Sequence, residues 1–134
     1  MIIGFHKSNK SPWAGYKFGK DDLTWIHEIA RQNISILNVF TRPYSLLDLK
    51  SNSSLEGIIL GYQNSAAVQE KTAQVIFGAL EARGKLPVSV GDEFPAGTGF
   101  FTRTVDRMSY GLPEAVGMNS VKLQKIDSII DVAI

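Results

Sequence analysis

The sequence predicts an α/β domain of three layers, with a mainly parallel sheet covered by helices on both sides. Three observations carry that expectation. Short β-branched and aromatic runs recur along the first ninety residues, and stretches with helical spacing of apolar positions lie between them. Strand–helix alternation of this kind favours parallel strands joined by right-handed crossovers. The size fits as well: 134 residues, 44% of them hydrophobic, suit one domain with its own core.

The elements follow in order. IIGF (residues 2–5) reads as a short buried strand, and SNKSPWAGYKFGK (residues 8–20) has the Ser, Pro and Gly density of a loop. Asp21 or Asp22 can cap a helix, because a carboxylate accepts the free N–H groups of a first turn. Leu23, Ile26, Ile29 and Ala30 then mark one apolar helical face to about Gln32. ISILNVF (residues 34–40) predicts a second strand, Arg42-Pro43 ends it, and one or two helical turns are expected over residues 44–49. GIILGY (residues 57–62) predicts a third strand. A long helix follows, capped by Asn64 or Ser65, with Val68, Thr72, Val75, Ile76 and Ala79 along one side and Gly84 as its terminator. LPVSV (residues 86–90) alternates like a fourth strand. Residues 91–117 are rich in Gly and Pro and lack periodicity, and a last helix is expected from Asn119 with Leu123, Ile126, Ile130 and Ala133 on one face. No internal repeat is present.

Composition excludes several classes. With no cysteine, the chain has no disulfide and no thiolate nucleophile or metal ligand. Fourteen Lys/Arg against thirteen Asp/Glu leave a formal charge of +1, and the cations are scattered rather than striped as in a nucleic-acid binder. Their densest group, from Lys7 to Lys20, reads as a solvated loop. No apolar run is long enough to span a membrane. MIIGFHK is too short for a signal peptide, and the chain stops inside a helical pattern, so both ends are expected to be boundaries within a longer protein.

Motifs of phosphate-binding glycine loops, serine nucleophiles and zinc-binding His pairs are missing, and neither a cofactor nor a metal is expected. In a parallel sheet, ligands collect beyond the carboxyl ends of the strands. There the loops at residues 6–13, 41–44 and 62–65 should meet. Lys7, Ser8, Asn9 and Trp13 form the candidate binding cluster: ammonium, hydroxyl and amide groups hydrogen-bond sugar hydroxyls, and an indole face stacks on a pyranose ring. The plainer alternative is a polar loop with its tryptophan anchored in the core. His6 has two readings, a binding imidazole or a structural histidine hydrogen-bonded at a strand end, with the structural one favoured. His27, on a helix, reads as structural. Arg42 suits either an anionic group or a loop-tying hydrogen bond. Asp48 and Glu56 are the carboxylates nearest the expected edge, and nothing in their spacing makes them a catalytic pair. No residue is assigned a catalytic role.

GYQNSAAVQEKTAQVIFGALEARGKLPVSV (residues 61–90) resembles the C-terminal α/β domain of family 3 glycoside hydrolases. There a strand leads through a polar turn into a helix ending in L-F-G, followed by G-[KR]-L-P-V. Phe77-Gly78 and Gly84-Lys85-Leu86-Pro87-Val88 carry the match. GFHKSN (residues 4–9) and LNVFTRPYSL (residues 37–46) are similar to the bacterial β-N-acetylglucosaminidase branch, so the resemblance spans residues 1–97. It implies an accessory domain of a retaining, exo-acting enzyme that removes terminal β-linked sugars, N-acetylglucosamine foremost. It also implies a (β/α)8 catalytic barrel as partner, carbohydrate as the parent's substrate, and a periplasmic or secreted parent. The family's aspartate nucleophile and Asp–His acid/base pair lie on the barrel, so the chain alone should be inactive. In the β-glucosidase branch a glutamate of the second domain serves as acid, and neither Glu56 nor Glu70 aligns with it. Residues 98–118 are expected to be an irregular linker. YGLPEAVGMNSVKLQKIDSIIDVAI (residues 110–134) is similar to the entry into a serine β-lactamase-like module, so residues 119–134 would form a helix leading toward a following domain.

Two other classes remain open. One is a free-standing carbohydrate-binding or scaffold module. The other is a flavodoxin-like nucleotide-binding domain, which the topology allows but for which no phosphate or metal site is visible.

Overall fold

The structure, a computed structural model, describes residues 1–8, 10–11, 13–49, 54–105 and 110–133. It is a small mixed α/β domain built on a three-stranded parallel sheet, β1 Ile2–His6, β2 Ile36–Phe40 and β3 Gly57–Leu60, in the order β1-β2-β3. Ile2 pairs with Ile36 and His6 with Phe40, while Ile36 pairs with Gly57 and Val39 with Leu60. Partners in register point to the same side of a sheet. One face therefore carries Ile3, Phe5, Leu37, Val39, Ile58 and Leu60; the other carries Ile2, Gly4, His6, Ile36, Asn38, Phe40 and Ile59.

The first face holds the core. Ile3, Phe5, Leu37 and Val39 pack with Ile26 of helix α1 (Lys20–Gln32), with Leu46 and Leu49, with Phe18, and with Leu86 and Val90. Helix α1 forms where expected, but its cap differs. Gly19 occupies the cap position in an extended conformation, and the Asp22 carboxylate reaches back to accept its N–H at 2.9 Å. Asp22 thus works from the third helical position, where its charge also meets the positive end of the helix. A 3-10 helix, Pro43–Asp48, follows β2 and supplies Leu46, in agreement with the turns expected there.

On the other face, Val68 in the first turn of helix α2 (Ala66–Ile76) approaches Phe40 and Gly61. A Cβ on Gly61 would lie 2.8 Å from Val68 Cγ1 and 3.0 Å from Phe40 Cδ1, so this contact needs glycine. Over β1 the same face is open: Ile2 is 50% exposed. Asn38 is buried here, and its Oδ1 has no hydrogen-bond partner among the described residues.

The helix terminator, the fourth strand and two strand bounds are corrected. Helix α2 ends at Ile76, and Gly78, at φ +73°, supplies the left-handed turn that the sequence pattern assigns to Gly84. Ser65 is the cap, one of the two residues expected there, although its side chain makes no cap hydrogen bond. Residues 86–90 are not a fourth strand of the sheet. They pair instead with the segment at residues 94–98: Leu86 N–H donates to Thr98 O at 2.8 Å, Gly97 N–H to Leu86 O at 2.7 Å, and Val90 N–H to Phe94 O at 2.8 Å. Pro87 has no N–H to offer a parallel ladder, so Leu86 and Val90 bury themselves without joining the sheet. The strands β2 and β3 are also shorter than predicted, beginning at Ile36 and ending at Leu60.

Beyond the second 3-10 helix, Pro113–Val116, two short helices close the chain, α3 Ser120–Leu123 and α4 Lys125–Ala133. The single helix expected from Asn119 is thus two, and Asn119 caps the first, its Oδ1 accepting Lys122 N–H at 2.9 Å. Val121, Ile126, Ile129 and Ile130 are all exposed. No helix among the described residues is long and apolar enough to cross a membrane.

Candidate functional site

The carboxyl ends of the three strands converge as a parallel sheet requires. His6 closes β1, and its ring stacks on Phe40 at the end of β2, centroids 4.6 Å apart. Its Nδ1 lies 3.2 Å from Oδ1 of Asn64, in the turn between β3 and α2, and the same oxygen accepts Gln69 Nε2–H at 2.8 Å. An amide oxygen only accepts, so His6 donates through Nδ1. His6 therefore ties the end of β1 to the turn that leads into α2, the structural role favoured for it from sequence. Tyr62, in the same turn, adopts φ +62°, a left-handed conformation costly for a side chain of its size, and burial raises its phenol above the ordinary range.

Next to this junction lies an open groove of about 650 Å³ lined by Lys7, Trp13, Ala14, Gly15, Tyr16, Lys17 and Arg42. Chain geometry explains why these residues meet. Lys7 directly follows β1 and Arg42 follows β2, two neighbouring strands. The loop between β1 and α1 is pinned by Phe18, which stacks on Phe5 at 3.7 Å in the core and whose N–H donates to Asp48 Oδ2 at 3.2 Å. Fixing Phe18 leaves Lys17, Tyr16 and Trp13 on the outside of the loop. The guanidinium of Arg42 lies over the Tyr16 ring, 5.7 Å from its centroid. Lys7 Nζ lies 5.0 Å over the Phe5 ring and 3.8 Å from Asp22 Oδ2. Trp13 is 94% exposed, so it is not a core anchor.

Of the four residues picked from sequence, Lys7 and Trp13 come together in the groove. Ser8 does not line it; its Oγ accepts Lys10 N–H at 3.4 Å within the loop. Asn9 lies outside the described residues. Tyr16 and Lys17 were not singled out from sequence, although they continue the same aromatic–cationic spacing as Trp13.

The carboxylates do not form a pair. Asp48 holds Phe18 N–H, and Glu56 precedes β3 at the opposite, amino edge of the sheet, where its N–H donates to Ser35 O. Glu70 is on α2 beside Gln74. His27 lies on α1, away from the strand ends. Among the described residues no cluster of three His, Asp or Glu could hold a metal ion. The groove presents aromatic and cationic side chains at the carboxyl edge of the sheet, and among the described residues Asp48 and Glu56 lie on opposite edges rather than together.

Comparison with protein-family models, curated proteins and solved structures returned no match to this chain.

Proposed function

We propose that the chain is the accessory C-terminal α/β domain of a retaining family 3 glycoside hydrolase that removes terminal β-linked sugars, N-acetylglucosamine foremost. In this reading it is a three-layer, flavodoxin-like domain, with α2 beginning the second helical layer. It braces a (β/α)8 catalytic barrel and lends its carboxyl-edge groove to the rim of the substrate pocket. The barrel supplies the nucleophile and acid/base, and this chain binds and positions.

The observation that carries the reading is the amount of large apolar surface left uncovered. Ile2 on the outer sheet face, Phe77 after α2, Phe100 and Phe101 in the returning segment, and Val121, Ile129 and Ile130 along the final helices are all exposed. Soluble monomers rarely leave such surface bare unless something covers it. A catalytic barrel against the sheet and a further module against the last helices would cover both. The phrases GKLPV and LNVFTRPYSL point to the same family.

The test is an assay of the purified chain against aryl β-N-acetylglucosaminide and aryl β-glucoside, beside an intact two-domain enzyme. The expected result is no turnover by the chain. Turnover that survives repurification would overturn the reading and make Asp48, Glu56 and His6 the first residues to replace.

The nearly bare Trp13 favours a second reading, a carbohydrate-binding module that works without a barrel. Sugar binding by the chain alone, abolished by Trp13→Ala and unchanged when a family 3 barrel is added, would select it.

A further inference from the structure

We infer that two copies of this chain join edge to edge through β1, antiparallel about a two-fold axis at Gly4, to make one continuous sheet from two three-stranded ones. This pairing goes beyond the accessory-domain role, since it uses the edge of the sheet and not its outer face or its groove.

The ladder leaves one edge of β1 free. In a parallel pair, a residue of one strand bonds to the two residues that flank its register partner, and the partner's own backbone points away. Ile36 is in register with Ile2, and its N–H donates to Met1 O at 3.0 Å. Met1, Ile3 and Phe5 therefore bond to β2, whereas Ile2, Gly4 and His6 turn their N–H and C=O groups outward. Among the described residues no backbone group meets them there. Ile2, Gly4 and His6 are all exposed, while β3, the opposite edge strand, is half-buried along its length. Edge strands are ordinarily protected by proline, a bulge or a charged side chain. β1 keeps an unbroken register and reads IIGFH, without proline, Lys, Asp or Glu.

This edge is complementary to itself. Antiparallel pairing about the axis sets Gly4 against Gly4 of the second copy, and Ile2 against its His6. Each outward residue then exchanges both backbone bonds with the residue opposite. On the core face the same register sets Ile3 beside Phe5 of the second copy, an aromatic and β-branched pair of the kind that stabilises sheets. Gly4 suits the axis, because two backbones meet there with no side chain between them. A Cβ on Gly4 would lie 2.8 Å from Nε2 of its own His6, so that ring already fills the space above. A shift of two residues either way would leave Ile2 or His6 with no opposite residue in β1. A foreign strand would have no reason to match this symmetry, which favours a second copy. A pair of five-residue strands buries less than the ~1,600 Å² of a standard interface, so the dimer should be weak, with Kd on the order of 100 μM.

The experiment is sedimentation equilibrium and amide hydrogen exchange of the 134-residue chain, below and above that Kd. The mass should rise reversibly from one chain to two. The Gly4 and His6 amides should slow about fivefold when about four-fifths of the chains are paired, because exchange then proceeds from the remaining fifth. Ile3 and Phe5, bonded to β2, should exchange slowly throughout. Ile2→Lys places a charge on the edge without removing a bond to β2; it should keep the Tm of the dilute protein and weaken the dimer at least tenfold, that is by about 1.4 kcal/mol. Ile2→Cys protein mixed with His6→Cys protein should cross-link on oxidation, since opposed residues lie about 5.5 Å apart at Cα. Neither variant should cross-link to itself, because like positions are more than about 13 Å apart. A single-chain mass at every concentration would overturn the inference and leave the edge to a strand of another protein. A dimer that persists in Ile2→Lys, or that leaves Gly4 and His6 unprotected, would overturn it and place the contact elsewhere on the surface.

Discussion

Replacing Gly61 with alanine tests whether α2 is seated on the sheet as described. The added methyl would lie 2.8 Å from Val68 Cγ1 and 3.0 Å from Phe40 Cδ1, both inside ordinary van der Waals contact. Gly61 does not adopt a positive φ, so the cost is steric and carries no backbone penalty. Phe40 is buried and stacked on His6, which limits how far it can yield. Overpacking of this kind costs about 2 kcal/mol, or a fall of roughly 6 °C in Tm for a chain of this length. The assay is urea unfolding and thermal melting of Gly61→Ala, Val68→Ala and the double variant. Removing the Val68 methyls opens the space that the new Cβ needs, so the double variant should be more stable than the sum of the single losses predicts. Strict additivity, or an unchanged Tm in Gly61→Ala, would refute the placement of α2 over Phe40.

Further consequences are independent of that one. Gly78→Ala should destabilise by about 1 kcal/mol or more, since a Cβ at φ +73° is strained and would meet Val105 Cγ2 at 2.7 Å. Gly84→Ala, in open space, should stay within about 0.5 kcal/mol, and a larger loss there would restore Gly84 as the helix terminator. Trp13→Ala should leave Tm within the range of an ordinary surface change while removing sugar binding; a large fall in Tm would mean the indole packs against the fold. Burial raises the Tyr62 phenol, so the unfolded chain releases this proton first. Its share of stability is complete below the unfolded value near pH 10 and is lost as pH climbs through the higher folded value. Tyr62→Phe should flatten that alkaline decline in a denaturant series, and an identical slope in both proteins would show that the phenol does not contribute.

The sheet was legible because each strand is a run of residues whose burial the structure repeats. Ile3, Phe5, Leu37 and Val39 form the core face that their apolar character anticipates. Helix α1 was legible from Ile26 and Ala30, both buried one turn apart. Errors came where local chemistry offered two equivalent solutions. Gly78 and Gly84 can each end a helix, and it is Gly78, two residues beyond Ile76, that adopts the left-handed conformation, whereas Gly84 does not. Residues 86–90 alternate as a strand does, and Leu86 and Val90 are indeed buried, but burial came from folding over the core rather than from pairing in the sheet. Alternation reports which side chains go inside; it does not report which backbone they pair with.

The groove proposed to bind sugar illustrates a different limit. Lys7 and Trp13 could be picked out individually, because each residue type suggests a contact. Their meeting with Arg42, twenty-nine positions beyond Trp13 in sequence, depends on β1 and β2 being neighbours and on Phe18 being held in the core. Phe18 has no direct part in the groove, yet its stacking on Phe5 and its bond to Asp48 fix where Tyr16 and Lys17 emerge. An anchored loop loses less conformational freedom when a ligand binds than a free one would, so under the proposed binding role core packing at Phe18 would contribute to affinity at Trp13. The positioning residues of this site are therefore apolar and buried, whereas the residues that would touch a ligand are aromatic or cationic and lie at the surface.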